Sequence, residues 1–106
     1  MLKVKTKYTT PEQRQKVKAA TEKYFKDHQD LFVVQKIIEI SAATEDAKKG
    51  ISPEYIAIMD IYQFLVETFA EYIAFRKKDA FWLDRMLNNT DLFNEHILNA
   101  IVRWIS

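Results

Sequence analysis

The most constraining feature of this sequence is a helical pattern between Ser52 and Phe75 that carries more apolar surface than one buried face uses. Apolar residues recur along it at the i, i+3, i+4, i+7 spacing of a single helix face, namely Tyr55, Ile58, Met59, Tyr62, Leu65, Val66, Phe69, Tyr72 and Ile73. Four more widen this face beyond the roughly 100° that a surface helix buries, namely Ile56, Ile61, Phe64 and Phe75. Such a helix either forms the centre of a bundle or presents its excess apolar surface to another chain.

The length and composition of the chain narrow the fold that surrounds this helix. A chain of 106 residues is long enough for one domain and too short for two. It contains one glycine and two prolines, whereas a sheet of short strands needs many turn residues. We therefore predict an all-α domain over residues 10–106, a compact bundle of four to five helices around the long central helix.

Residues 1–9 are predicted to form a short extended arm in front of this domain. Within them, Leu2, Val4, Thr6 and Tyr8 alternate with Lys3, Lys5 and Lys7. A period of two with one lysine-rich face is typical of a short edge strand. Because an isolated strand is not stable, the arm is expected either to pair with another chain or to stay flexible.

In the first half of the domain the sequence marks where helices begin, but it leaves open whether one helix or two follow. Thr10-Pro11-Glu12-Gln13 has the form of a capping box with proline at the first helical position, so a helix is predicted from there to about Asp27. Asp30 is predicted to cap a second helix, whose apolar residues are Leu31, Val34, Ile37, Ile38 and Ser41, broadened by Phe32, Val33 and Ile40. No helix breaker separates residues 27 and 31, so one bent helix over 11–46 is an alternative.

The second half is divided by turn residues and caps. Gly50 is predicted to end the preceding segment in a left-handed conformation, and Ser52-Pro53-Glu54 to open the long helix. Arg76-Lys77-Lys78 suits the negative end of that helix. A short helix is predicted from about Ala80 to Leu87, followed by a turn and a new cap at residues 88–91. The last helix then runs to the C-terminus with one apolar face, formed by Phe93, Ile97, Ile101 and Trp104.

The sequence contains no recognisable catalytic or metal-binding pattern. There is no cysteine, no glycine-rich phosphate loop, and no serine, histidine and aspartate set with a glycine elbow. His28 and His96 lack a second ligand at helical spacing. Asp60, Glu67 and Glu71 fall on one line of the long helix, which we interpret as its narrow hydrated side. We therefore expect no enzymatic activity, no metal and no cofactor.

Positive charge is concentrated near the N-terminus. Residues 1–26 hold eight lysines and arginines against two acidic residues, whereas residues 27–106 hold eight against thirteen. This split is compatible with a nucleic-acid arm, with a docking site for an acidic partner or with self-complementary packing. The candidate basic patch consists of Lys3, Lys5, Lys7, Arg14 and Lys18. Because arginine is rare here and the rest of the chain is acidic, we do not expect nucleic-acid binding.

The apolar runs of the sequence do not predict export or membrane insertion. No uncharged run reaches 18 residues, and the first residues lack the apolar core of a signal peptide. We therefore expect a cytoplasmic protein that does not bind membranes.

The excess apolar surface predicts a protein partner. Such surface on a small domain is rarely left in water, so we expect a homo-oligomer or a complex with another protein. The predicted partner-binding residues are those left over after one face of the long helix packs, together with two adjacent aromatics that cannot both point inward from a short helix. They are Ile56, Ile61, Phe64, Phe75, Phe81 and Trp82.

Three segments carry a resemblance to a known family. They are Met59 to Phe69, Phe81 to Leu87 and Ile97 to Ile105, and the start from Tyr8 to Arg14 is also similar. Together they resemble the tail assembly chaperones of long-tailed phages of Gram-positive hosts. The resemblance implies a non-enzymatic protein of the bacterial cytoplasm that binds a tail-tube or tape-measure protein and shields its amphipathic helices. The alternatives are a bacteriocin-immunity-like helical bundle and a nucleic-acid-associated regulator that uses the basic N-terminal segment.

Overall fold

The protein is described by a computed structural model, which covers the backbone of residues 10–75 and 82–106. These residues form six helices and no strand: α1 (Pro11–Asp27), α2 (Phe32–Ala42), α3 (Glu45–Lys48), α4 (Pro53–Phe75), α5 (Trp82–Leu87) and α6 (Thr90–Ile105). The predicted all-α class and the long helix are confirmed. The predicted arm over residues 1–9, and the predicted helix start at Ala80, lie outside the described residues.

The start of α1 has the capping arrangement that the sequence predicted. The Thr10 hydroxyl accepts the backbone N–H of Gln13 at 3.0 Å, and the Gln13 side chain accepts the N–H of Thr10 at 2.9 Å. Two N–H groups that helix geometry leaves without an intrahelical partner are thereby satisfied. Local chemistry alone therefore places this boundary.

The segment between residues 11 and 46 forms two main helices, which decides the alternative left open by the sequence. α1 ends at Asp27, and Leu31, in an extended conformation, precedes α2 without a side-chain cap. The prediction that Asp30 caps α2 is therefore wrong. Phe25 and Val34 are both fully buried, and the turn between them lets both face the same core.

A short helix that the sequence did not predict, α3, connects α2 to the turn before α4. The Thr44 hydroxyl accepts the N–H of Ala47 at 3.4 Å and donates to the Ser41 carbonyl at 2.7 Å. Gly50 follows with φ of 95°, the left-handed conformation that was predicted. No atom lies within 4 Å of the position where a Cβ would stand, so it is the backbone conformation that favours glycine here.

The core is arranged around α4, which contacts each of the other five helices. Its side chains Ile61, Leu65, Val66 and Phe69 are buried together with residues of α1, α2, α5 and α6, among them Val17, Phe25, Val34, Ile37, Leu83, Phe93, Ile97 and Ile101. Each such side chain stabilises the fold by about 1.5–3 kcal/mol through burial. Tyr55, predicted on the buried stripe, is exposed at the first turn of α4.

α6 packs antiparallel to α4. Asn89, within the turn and cap predicted at residues 88–91, caps it and accepts the N–H of Leu92 at 3.2 Å. The Phe69 ring lies 6.1 Å from that of Phe93 near the start of α6, whereas the Phe64 ring lies 5.7 Å from that of Trp104 near its end. The opposite order of these contacts along the two helices places the last turn of α6 beside the middle of α4.

Candidate protein-binding surfaces

Two of the predicted partner-binding residues belong to the core. Ile61 is fully buried and Ile56 is 8% exposed, so neither is available to another chain. The reason is that α1, α2 and α6 surround much of the circumference of α4, and the widened apolar stripe is used inside the domain. The prediction that these two isoleucines form part of a free surface is therefore corrected.

Phe64, by contrast, lies at the boundary between core and solvent. Its ring is half-buried and meets Trp104 edge-to-face, with an angle of 69° between the ring planes. Trp104 is 40% exposed, although the sequence placed it on the buried side of α6. Thr68, one turn after Phe64, is exposed, and its hydroxyl donates to the Phe64 carbonyl at 2.8 Å. We call the surface formed by Phe64, Thr68 and Trp104 the aromatic face.

Acidic side chains flank the aromatic face on α4. Asp60 lies one turn before Phe64 and Glu67 three residues after it, so both share its side of the helix. Both side chains are half-buried. Burial raises the pKa of the Asp60 carboxyl above its usual value, and the negative charge of Asp46 acts in the same direction. The surface therefore combines an aromatic pair with carboxylates that are incompletely hydrated.

Asp60→Asn is expected to be slightly more stable than the wild-type protein at pH 7. Because the folded state has the raised pKa, it holds the carboxyl proton more tightly than the unfolded state, and ionisation of this group lowers the free energy of unfolding as the pH rises. The stability advantage of the asparagine variant should therefore shrink as the pH falls to 3.8, the ordinary pKa of an aspartate, and below. Urea denaturation of both proteins between pH 7 and pH 3.8 measures the difference in their free energies of unfolding. An asparagine variant that is less stable at pH 7 would contradict the argument.

The remaining predicted partner-binding side chains, Phe75, Phe81 and Trp82, lie outside the description of side chains, and their role stays a prediction. The same holds for Lys3, Lys5 and Lys7 of the candidate basic patch, which precede the described residues. Its other two members, Arg14 and Lys18, are half-buried one turn apart on α1. The described residues therefore contain only Arg14 and Lys18 of the candidate basic patch.

The most exposed of the large apolar side chains in the described part of the chain was not among the predicted site residues. It is Phe32, 72% exposed at the start of α2. Phe32 lies two residues before the buried Val34 and thus about 160° around the helix from it, pointing away from the core. Angular position relative to Val34 and Ile37 is the signal that could have identified it. Ile40, two turns further, is also exposed.

The outer side of α2 also carries charge. Lys36 lies between Phe32 and Ile40 and forms an ion pair with Glu39, with 3.9 Å between the lysine Nζ and the carboxylate oxygen. We call Phe32, Lys36, Glu39 and Ile40 the outer face of α2. Other exposed apolar residues include Ile51, in the turn before α4, and Leu92 and Val102, ten residues apart on α6.

One cleft of the described structure is lined by polar groups that bind one another. In a cleft of about 340 Å³ between α1 and α5, the Gln13 side-chain amide donates to Asp84 at 3.0 Å, and Lys16 lies 3.7 Å from Glu12. Asn88 and Thr10 complete its wall. Among the described residues that line this cleft, the titratable side chains are Glu12, Lys16 and Asp84, and no histidine is among them.

The two histidines interact with aromatic neighbours. The His28 ring stacks on that of Tyr24 with 4.2 Å between the ring centres, and its Nδ1 lies 2.9 Å from the Tyr24 carbonyl. The His96 ring meets that of Phe69 edge-to-face. In residues 10–75 and 82–106 no group of three His, Asp or Glu whose side chains are described is arranged to hold a metal ion. Within the same part of the chain, none of the helices is long and apolar enough to cross a membrane.

Comparison of the chain with protein-family models, with curated proteins and with solved structures finds no match.

Proposed function

We propose that the protein is a non-enzymatic assembly chaperone or adaptor of phage tails that binds an amphipathic helix of a tail-tube or tape-measure protein. The observation that carries the proposal is the aromatic face, on which Phe64 and the 40% exposed Trp104 lie beside the half-buried carboxylates of α4. As such a chaperone, it acts in the cytoplasm of the bacterial host.

The aromatic face has the composition of a protein-binding centre. Tryptophan is enriched among residues whose truncation costs most in binding, and such residues lie in well-packed regions surrounded by polar groups. The aromatic face and the flanking Asp60 together cover the distance from residue 60 to residue 68 of α4, which is about 12 Å or roughly two helical turns. A helix with anchors at i, i+3 or i+4, and i+7 matches this length.

The flanking carboxylates define the chemistry of the bound helix. An apolar side chain inserted beside Trp104 brings its neighbours close to Asp60 and Glu67, and complementary charge there raises the association rate and excludes wrong partners. We therefore propose an amphipathic helix whose apolar stripe is bordered by lysine or arginine. Tape-measure proteins are long and helical, and the resemblance of the sequence to tail assembly chaperones supports this choice over a general helix-binding protein.

The experiment for this proposal begins with the gene neighbourhood and continues with co-expression. We expect a tail-tube or tape-measure gene beside the gene for this protein. Co-expression should then keep the tape-measure protein soluble and recover both proteins in one complex. A neighbouring bacteriocin gene, or a tape-measure protein whose solubility and binding do not change, would contradict the proposal.

A DNA titration distinguishes the proposal from the regulator alternative. Wild-type protein is expected to show no appreciable affinity for generic duplex DNA at physiological salt. If the basic N-terminal segment binds phosphates, the logarithm of the affinity falls steeply with the logarithm of the salt concentration. Replacing Lys3, Lys5 and Lys7 by glutamine would then flatten that slope by roughly 2–3 units. A slope that behaves in this way would favour the regulator.

A further inference from the structure

We infer that the arm over residues 1–9 docks on the aromatic face of its own chain and thereby competes with the helix that this face binds. The proposed function gives the lysine-rich arm no role of its own. That the excluded ligand is a helix of a tail protein rests on the proposed function, whereas the docking of the arm does not. The chemistry of the face, the composition of the arm and the place where it joins α1 all favour this occupant.

The aromatic face is flanked by a carboxylate that needs a cation. Asp60 is half-buried, and the ion pairs between described residues lie within α1, α2 and α3 and do not include it. Glu67 is half-buried on the same side of α4. A carboxylate that is partly removed from water is stabilised when a positive charge approaches it. The surface therefore favours an occupant that brings both cations and apolar side chains.

The arm contains both of these chemistries within a few residues. It alternates apolar side chains with basic ones, namely Leu2, Lys3, Val4, Lys5, Lys7 and Tyr8. When Val4 lies beside Trp104, the lysines before and after it are about 3.8 Å away between Cα atoms, and their flexible stems can turn toward the carboxylates of α4. From residue 27 onward the chain has thirteen acidic side chains against eight basic ones, so the body as a whole attracts the arm.

The arm joins the domain at a point from which it can reach the aromatic face. Lys26 near the end of α1 and Tyr55 at the start of α4 line one cleft, so the two packed helices run antiparallel. At about 1.5 Å per residue, Thr10 then lies about 10 Å beyond Phe64 along the shared direction. An extended chain from Thr10 to Leu2 spans about 26 Å, whereas half the circumference of a helix is about 16 Å. The arm is therefore long enough to reach the aromatic face from either side of α4.

The covalent connection makes even a weak contact effective. A short flexible linker holds its free end at a concentration in the millimolar range near the point of attachment. A few side chains at the edge of the core therefore suffice to occupy the face for part of the time, while a longer helix with more anchors displaces them. Occupancy by the arm lowers the apparent affinity for that helix in proportion to the fraction of molecules whose face is open, and we expect a reduction of about three- to tenfold.

Disulfide formation in the full-length chain tests the docking of the arm. The chain contains no cysteine, so Val4→Cys combined with Thr68→Cys introduces one pair of thiols, the second of them on the aromatic face. Val4→Cys with Val102→Cys is the matched control, because Val102 is exposed near the same end of α6 but lies about 160° around the helix from Trp104. At about 1 µM protein, where reaction within one chain dominates, the first pair should be oxidised roughly fivefold faster than the second or more. Equal rates, or a faster control pair, would overturn the inference.

The lysines of the arm provide a second readout of the same contact. Replacing Lys3, Lys5 and Lys7 by glutamine should bring the ratio of the two oxidation rates toward one, and this ratio cancels any direct effect of the lysines on the reactivity of the thiol at position 4. The control variant removes the same number of charges from exposed lysines of α1 and α2 and should leave the ratio unchanged; its substitutions are at Lys16, Lys23 and Lys36. Equal effects of the two triple variants would overturn the role of the arm's charges.

Binding of the tape-measure protein separates the docking of the arm from the proposed function. The glutamine variant of the arm should bind it about three- to tenfold more tightly than the wild type, and the control variant should stay within about twofold. Preferential oxidation of the first thiol pair without this gain in affinity would overturn the competition. No binding of the tape-measure protein by any variant would contradict the proposed function and the competition together, while the oxidation rates would still decide whether the arm docks.

Discussion

Replacing Phe69 by alanine is expected to lower the free energy of unfolding by about 3–5 kcal/mol. Phe69 is 3% exposed on α4, and its ring packs against those of Phe93 and His96 on α6. Truncation removes the buried ring and leaves a cavity where the two antiparallel helices meet. Chemical denaturation monitored by circular dichroism measures the change.

Phe32→Ala is the matched control, since it makes the same chemical change on an exposed side chain. At a protein concentration low enough to keep the chain monomeric, its free energy of unfolding should stay within about 0.5 kcal/mol of the wild-type value. If Phe69→Ala and Phe32→Ala had equal effects, the packing of α4 against α6 would be misplaced.

Introducing a charge at Ile61 is expected to have the second large effect. Ile61→Asp removes a fully buried apolar side chain and requires either a buried carboxylate or its protonation. The expected loss exceeds about 4 kcal/mol, which is a large part of the stability of a typical domain. We therefore expect a chain that is largely unfolded at 25 °C and has lost its near-ultraviolet circular dichroism signal.

Trp104→Asp provides the comparison for that substitution. Trp104 is 40% exposed, so it loses its edge-to-face contact with Phe64 and part of its apolar burial, and the expected loss of stability is about 1–3 kcal/mol, smaller than that of Ile61→Asp. A well-folded Ile61→Asp variant would contradict the burial of Ile61 and would support the surface position that the sequence pattern predicted. The contrast between these two variants thus separates core from surface on the same pair of helices.

The helix boundaries were predictable where a local interaction determines them. Thr10 with Gln13, Asn89 at the start of α6 and Gly50 with its positive φ each act within a few residues, so the sequence pattern contains their cause. The break between α1 and α2 was left open because it depends on tertiary packing. Phe25 and Val34 must reach one core from opposite sides of the turn, and no local breaker marks that requirement.

The candidate surfaces were less predictable, because apolar patterns do not say how many neighbours a helix has. The pattern of α4 placed Ile61 and Phe64 together as excess apolar residues, yet Ile61 is buried while Phe64 lies at the edge of the core. Trp104 falls on the buried side of α6 by its spacing, but it lies in the last turns, where the covering helices leave it partly exposed. Only the arrangement of the helices decides these cases.

Two substitutions in the last turns of α6 test whether the aromatic face binds the tape-measure protein. Trp104 and Val102 are 40% and 43% exposed, but two residues along a helix place them about 160° apart, and it is the Trp104 ring that meets Phe64 edge-to-face. The measurement is the dissociation constant of each aspartate variant for the tape-measure protein. We predict that Trp104→Asp weakens binding at least 30-fold, about 2 kcal/mol, and that Val102→Asp stays within twofold. Equal affinities of the two variants, or no binding by the wild-type protein, would contradict the proposed role of the aromatic face.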